Sequence, residues 1–439
     1  MKTPIVDFLN GYATSSPVRM HMPGHKGDFG YERDLTEISG ADSLYHASGI
    51  ILESEKYSGG LFSADTFYST EGSSLSIRAM LSLAMLYAAE CGKAKRVIAA
   101  RNVHRSFVSA AALLDIDVEF FGIGDYLSSK ITPTELEKLL SESCEMPVAV
   151  YLTSPDYLGR MQDIRGISEV CKRHGVLLLV DNAHGAYLAF LEKSEHPISL
   201  GADMCADSAH KTLPALTGAS YLHINKGAPK LFKENAKSAM ALFGSTSPSY
   251  LILESLDRLN AILADGFGKS LNDVVRGVGD LKRRLCDIGY EVIDGEPMKI
   301  TISARSYGYL GTELSAALED GGVYPEFCDS DYLVLMPSAC TKACELERVF
   351  EVLSALPRRD ALMVEKITLD TPKRAMSIRA ATLAPRERVA VDSALGRILA
   401  DSTVACPPAV PILVSGEVIN EDAIKAFKYY GYDEIQVVK

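Results

Sequence analysis

The sequence predicts an α/β protein built on a mainly parallel sheet, and three observations carry that prediction. Between Arg96 and Ile224, apolar runs of strand length recur, rich in Val, Ile and Leu, as suits strands buried on both faces. The segments between them carry helical stripes or loop chemistry, and strand–helix–strand repetition lays helices over a parallel sheet. At 439 residues the chain is also too long for one simple core, so two or three packed domains are expected.

The predicted strands are RVIAA from Arg96, VEFFGI from Val118, VAVYLT from Val148, VLLLVD from Val176 and GASYLHI from Gly218. Between the third and fourth, Ile164, Ile167, Val170 and Cys171 make a helical stripe that Gly175 closes. Ahead of them, GSSLSIRAMLSLAMLYAAECG reads as a buried helix. Ser73 or Ser74 caps its start, Ile77, Leu81, Ala84, Met85 and Ala88 form its apolar face, and Gly92 ends it. After about residue 260 the texture changes: GKSLNDVVRGVGDLKRRLCDIGYEVI is an amphipathic helix running into a strand, and KITISARS and YLVLMPSA read as strands of a smaller unit. The expected organisation is an N-terminal arm with a binding loop (1–65), a large domain (66–265), a small α/β domain (266–365) and a C-terminal domain (366–439).

Hydrophobic residues make up 47% and charged residues 23%, the balance of a water-soluble globular chain. A net charge of −12 argues against nucleic acid as a partner and suits a cationic substrate. MKTPIVDFLNGY has no apolar signal region, and no apolar run reaches the roughly 18 residues of a membrane helix, so a cytoplasmic protein without membrane contact is expected. Nine cysteines without a CxxC pair read as reduced thiols, with no metal site.

Five segments carry chemistry. In DSAHKTLPALTGAS, Lys211 follows Ser-x-His at the end of a predicted buried strand. A lysine desolvated there loses its proton readily and can form a Schiff base with an aldehyde cofactor, and Ser208 and His210 stand ready for a phosphate. In LLLVDNAHGAY, Asp181 closes an apolar strand at the sheet edge where open α/β sheets bind ligands. A buried carboxylate needs a cation, and the protonated pyridine of pyridoxal phosphate supplies one; taken alone, the residue reads equally as a helix cap or metal ligand. In STEGSSLSIRAM, Gly72, Ser73 and Ser74 open a helix as a candidate phosphate site. In ARNVHRSF, His104 is a flat ring placed to stack on a cofactor. In MHMPGHKGDFG, His21, His25 and Lys26 sit in a glycine-rich stretch that reads as a rigid binding loop.

Together these segments resemble the ornithine/lysine/arginine decarboxylase family. The resemblance lies in HMPGHKG (21–27), RNVHRS (101–106), TSPDYLGRMQDI (153–164), VDNAH (180–184), DSAHKTLPALTG (207–218), TLAPRE (382–387) and CPPAVPILVSGE (406–417), which span nearly the whole chain in order. It implies the aspartate-aminotransferase fold group (pyridoxal-phosphate fold type I, a mainly parallel seven-stranded sheet flanked by helices, with smaller α/β C-terminal domains) in a compact form without a receiver-like N-terminal domain. It also implies a homodimer or higher homo-oligomer whose N- and C-terminal segments help close the sites. The pattern departs from the family at Asn182, where Glu is common, at Glu71 and Ile77 in the phosphate turn, and at Ala409, Val410 and Ser415 in the C-terminal loop.

The resemblance implies decarboxylation of a basic amino acid, arginine before lysine or ornithine, to a polyamine precursor or related diamine. Lys211 holds pyridoxal phosphate, Asp181 keeps its ring nitrogen protonated, and His104 stacks over the ring. His184 contacts cofactor or substrate carboxylate. Gly72, Ser73, Ser74, Ser208 and His210 take the phosphate; His21, His25 and Lys26 serve the substrate, and Glu417 its distal cation. Two alternatives stand beside this reading: another reaction on the same cofactor, such as transamination or β-elimination, for which Arg379 could be mistaken for the carboxylate anchor although HMPGHKG and the PPAVP loop favour decarboxylation, and a non-catalytic relative that binds or regulates a partner.

Overall fold

Two helices, α1 (Pro4–Thr14) and α2 (Ile50–Phe62), lead into strand β1 (Ala64–Ser69). There follow α3 (Gly72–Glu90), β2 (Arg96–Ala100), α4 (Arg105–Leu114), β3 (Asp117–Phe121), α5 (Pro133–Ser141), β4 (Ala149–Thr153), α6 (Ile164–His174) and β5 (Leu177–Asp181). Then come α7 (Pro197–Leu200), β6 (Met204–Asp207), α8 (Ala209–Thr212), β7 (Ser220–Asn225), α9 (Lys230–Ala241) and α10 (Tyr250–Ala264). This is a computed structural model; it describes all residues except 124–126, 364–366, 402–404 and 407–409, and the side chains of 405 and 406. Among the described residues no helix is long and apolar enough to cross a membrane, and every described cysteine is free.

The central sheet has the order β1-β7-β6-β5-β4-β2-β3. β7 runs antiparallel to β1 and β6, and the other pairings are parallel. Each of the five predicted runs falls on one strand, β2, β3, β4, β5 or β7, to within a residue or two. β1 and β6 are additions, and β6 is only four residues long. The parallel centre is apolar throughout: Val150, Leu152, Leu178 and Val180 face one helical layer, and Val97, Ala149, Tyr151 and Leu179 face the other. Burying one such aliphatic side chain contributes about 1.5–3 kcal/mol, and truncating Leu178 to Ala would cost about 2–5 kcal/mol.

Local chemistry sets the helix ends. Asp163 caps α6 by accepting from the Gly166 N–H at 3.0 Å, and Gly175 closes it in the left-handed region. The start of α3 differs from expectation: Glu71 occupies the cap position, its side chain makes no capping bond, and Ser73 and Ser74 lie inside the first turn. Their hydroxyls are therefore free for other partners.

The expected boundary at residue 65 falls inside β1, so the N-terminal arm is not a separate layer. Ile5, Leu9, Ile51 and Phe62 share a core with Tyr68, Leu152 and Val180. The Ile5 and Val6 N–H groups donate to Asp257 Oδ2 of α10 at 2.9 and 3.0 Å.

Beyond α11 (Phe267–Asp287) a second sheet forms from β8 (Glu291–Val292), β9 (Ile300–Ser303), β10 (Phe327–Cys328) and β11 (Tyr332–Leu335), in the order β10-β11-β9-β8. Helices α12 (Gly311–Asp320) and α13 (Ala343–Ser354) close its own core around Leu281, Ile302, Leu314 and Leu333. The C-terminal segment pairs β12 (Arg386–Ala390) with β13 (Glu434–Val438) over Leu399, Ile412 and Phe427.

Candidate active site

The carboxyl ends of β2, β4, β5 and β6 face one cavity, where open parallel sheets hold ligands. Ser73, Asn102, His104, Thr153, Tyr157, Asp181, His184 and Lys211 line it. β6 ends at Asp207 and the chain turns at once into α8, which delivers Lys211 to the cavity; β6 is the return strand between Asp181 and the lysine. Lys211 Nζ lies 3.0 Å from His184 Nε2. Burial pushes the amine below the ordinary lysine range, and the nearby Asp181 carboxylate opposes that shift.

Asp181 is 1% exposed. Its Oδ1 accepts from the Ala183 N–H at 3.1 Å and its Oδ2 from the Tyr151 hydroxyl at 3.4 Å. Burial raises it to about 6, against the pull of Lys211. Among the described residues no cationic side chain lies within 4 Å of it to form an ion pair. A buried carboxylate facing a ligand cavity without its cation is set up to receive one from the ligand.

His104 caps α4, its Nδ1 accepting from the Ser106 N–H at 3.1 Å. Burial, reinforced by Lys211, lowers it to about 4, so the ring beside the cavity is neutral at ordinary pH. His184 is pushed well below its ordinary value by burial, then by Lys299 and Lys211.

The amino end of α3 is built for an anion. Its first-turn N–H groups have no side-chain cap, and four hydroxyls gather there in pairs: Ser208 with Ser73 at 2.8 Å, and Ser106 with Ser74 at 2.7 Å. Gly72 opens the turn, its N–H held by the Gly218 carbonyl at 2.8 Å. His210 is half-buried, its Nδ1 2.9 Å from the Ala219 carbonyl.

Other expected residues lie elsewhere. His21 bonds to the Tyr12 hydroxyl and the Met22 carbonyl, His25 to Asp34 at 3.2 Å, and Lys26 to the His21 carbonyl. None of the three lines the Lys211 cavity of its own chain. Glu417 requires a correction, because its carboxylate is engaged by the fully buried Arg101 through bonds of 2.9 and 2.8 Å and is closed to a substrate cation. Arg379 donates to the Ala112 and Leu113 carbonyls of α4, away from the cavity. Residues 407–409 of the C-terminal loop lie outside the described residues; Val410 reaches the cavity wall.

Sequence reasoning missed Asn102, Ser106, Tyr157 and Lys299. Of these, Ser106 was visible in RNVHRS and carried a hydroxyl signal. Beneath the cavity lies a buried group that was also not anticipated. Asp207 is bonded to His196 at 2.9 Å, to His223 at 3.3 Å and by the Asn182 amide at 2.7 Å. Burial alone would raise Asp207, but the two imidazoles outweigh it and hold the carboxyl well below its usual range. His196, Asp207 and His223 are grouped closely enough to ligate an ion, and their bonds to one another account for the grouping.

The Orn/Lys/Arg decarboxylase major domain matches residues 3–288, and the C-terminal domain of the same family matches 362–434. The chain belongs to the Orn/Lys/Arg decarboxylase family. It is 29% identical to an arginine decarboxylase of Halalkalibacterium halodurans, over 96% of this chain and 91% of that one. It is 28% identical to an arginine decarboxylase of Bacillus subtilis, over 96% and 92%. The fold matches a lysine decarboxylase of Francisella novicida with a TM-score of 0.78 at 16% identity, covering all of this chain and 81% of that one. The constitutive lysine decarboxylase of E. coli gives 0.77 at 18% identity, covering 100% and 82%.

The cofactor of this family is pyridoxal phosphate, and the donor set here fits it. Asp181 suits the ring nitrogen, the Lys211 amine the aldehyde, and the uncapped start of α3 with its serine hydroxyls the phosphate.

Proposed function

We infer that this protein decarboxylates a basic amino acid, with arginine the first candidate, using pyridoxal phosphate held through Lys211. The observation that carries the reading is the pairing in one cavity of a buried, cation-free carboxylate (Asp181) with a desolvated amine (Lys211). The arginine decarboxylases similar along nearly the whole chain support arginine over lysine or ornithine.

When bound, the cofactor supplies an electron sink for the pair released as the Cα–carboxylate bond breaks. Asp181 sustains that sink by holding a proton on the ring nitrogen. His104, neutral and flat, would be the residue to stack on the cofactor, and the serines with the α3 N–H groups would hold its phosphate. A bound cofactor and substrate would displace water from the cavity, which favours loss of a charged carboxylate. Lys211, or His184 beside it, then returns the proton to Cα.

The reading extends to a cytoplasmic homo-oligomer that makes polyamine precursors. Val18, Met20, Met22 and Phe29 stand exposed on the loop that carries His21, His25 and Lys26, which supports a neighbouring copy covering that loop and receiving those residues at its own site. The decisive experiment is product analysis with arginine, lysine and ornithine after cofactor loading. Labelled CO2 and the matching amine are expected, and a keto acid without CO2 would replace this reading with transamination. Reduction with borohydride is expected to fix the cofactor to Lys211; protein that takes up no cofactor would favour a non-catalytic relative.

A further inference from the structure

A second buried lysine stands behind the first. Lys299 is 3% exposed and belongs to the small α/β unit, at the foot of β9. The turn before it is docked onto the cavity loop 154–160. The Glu296 N–H donates to the Gly159 carbonyl at 2.7 Å, and a Cβ on Gly295 would fall 2.1 Å from that oxygen, so only glycine fits. Glu296 is itself fixed, its carboxylate accepting from the Met298 and Lys299 N–H groups at 2.9 and 3.1 Å and from the Tyr187 hydroxyl. Lys299 Nζ therefore has a set position: 3.1 Å from the Asp156 carbonyl, 3.2 Å from His184 Nδ1 and 3.8 Å from Glu296 Oε1.

We propose that Lys299 is a positioning residue that fixes the proton of His184 on Nε2, so that the imidazole donates to Lys211 and holds its amine uncharged. An ammonium has three donors and no acceptor. Set against Nδ1, it requires that nitrogen to be the unprotonated one, and a neutral imidazole then carries its proton on Nε2. Nε2 faces Lys211 at 3.0 Å. An N–H there needs a lone pair opposite, which a free amine has and an ammonium lacks. The Lys299–His184–Lys211 chain thus accommodates one ammonium. Two would demand that both ring nitrogens accept, which a neutral imidazole cannot do.

Glu296 decides which lysine bears the charge. Lys299 has that carboxylate at 3.8 Å and a carbonyl at 3.1 Å, whereas among the described residues no carboxylate lies within 4 Å of Lys211. The other charged groups acting on the pair are Asp156 on Lys299, Asp181 on Lys211, and Glu326 on both. Burial and the two lysines keep His184 itself neutral.

The inference rests on the proposed function only in giving Lys211 a use for its free amine; the tautomer is a property of the chain alone. The test uses the full-length, cofactor-free protein with 15N-labelled histidine, and His184→Gln assigns the signal. The expected spectrum shows His184 protonated at Nε2, retained in Lys299→Arg and lost or mixed in Lys299→Met. In parallel, labelling of Lys211 by trinitrobenzenesulfonate across pH, read by peptide mass, is expected to slow about tenfold near neutral pH in Lys299→Met and to recover in Lys299→Arg. Because the Met variant leaves Glu296 buried, Lys299→Met/Glu296→Gln keeps the comparison available should the single variant fail to fold. A wild-type His184 protonated at Nδ1, or Lys211 labelling unchanged in both Met variants, would overturn the proposal. Absence of decarboxylation with the tautomer intact would instead count against the function alone.

Discussion

Arg101 and Glu417 meet in a two-point ion pair, at 2.9 and 2.8 Å, although 316 positions separate them along the chain. Arg101 also donates to the Ile412 carbonyl, and Glu417 accepts from the Val414 N–H. The pair pins the C-terminal segment to the end of β2, three residues before His104.

Glu417→Ala would strand a fully buried guanidinium, at a cost of about 3–5 kcal/mol. The expected result is a lower melting temperature and earlier proteolysis after β11. Replacing both partners by Leu and Met should recover most of that stability. A raised KM at unchanged melting temperature would return Glu417 to the role of substrate anchor.

Asp181→Asn should stabilise the cofactor-free protein while abolishing turnover. Its carboxyl sits at about 6 when folded against an ordinary 3.8. A carboxyl with a raised folded value penalises the folded state in full above about pH 6 and not at all below about pH 4. The Asn variant should therefore gain up to about 3 kcal/mol at pH 8 and nothing at pH 3.8. Urea melts of the two proteins at both pH values check this.

Asp207→Asn should act with the opposite sign. Here the folded value lies below 3.8, so the stabilisation is present above that pH and lost as pH falls through the folded value. Removing the charge leaves two buried imidazoles without their acceptor, at about 3 kcal/mol near pH 7. Thermal melts of wild type and variant should converge only in strong acid.

Ser106→Ala and Ser208→Ala should each weaken cofactor binding by about tenfold or more, the loss of one hydrogen bond of at least about 1.5 kcal/mol to a charged group. The cofactor-free protein should keep its secondary structure and lose the hydroxyl pairs with Ser74 and Ser73, at about 0.5–1.5 kcal/mol each. Fluorescence titration of cofactor into the stripped protein measures the effect.

What the sequence disclosed follows from length and locality. RVIAA, VAVYLT and VLLLVD are unbroken apolar runs, so the parallel centre was legible from them. β6 was not, because Met-Cys-Ala-Asp is too short to show a period. β1 (Ala-Asp-Thr-Phe-Tyr-Ser) is short, with its two large aromatic residues side by side, and gains its place by pairing with β7, more than 150 residues on. Asp181 and His104 could be read because one ends a recognisable strand and the other opens a helix, and His184 and Lys211 because they stand in the motifs VDNAH and DSAHK. Lys299 could not, since KITIS looks like a strand with a polar first residue, and nothing local records a partner 115 positions away. Glu417 was misread for the same reason: a lone acidic side chain does not announce that a distant arginine has claimed it.

The pairing of β1 with β7, and the hold of Asp257 on Ile5 and Val6, have a consequence for how the protein is made. During synthesis the first helix can meet α2 early but cannot complete its docking on α10 until some 250 further residues have left the ribosome, an interval of roughly 10–50 s at usual elongation rates. Through that time Ile5, Leu9 and Ile51 are only partly covered on the nascent polypeptide. A translation complex arrested ahead of residue 257 would present a sticky, protease-sensitive amino end, and chaperone demand during production should be concentrated there.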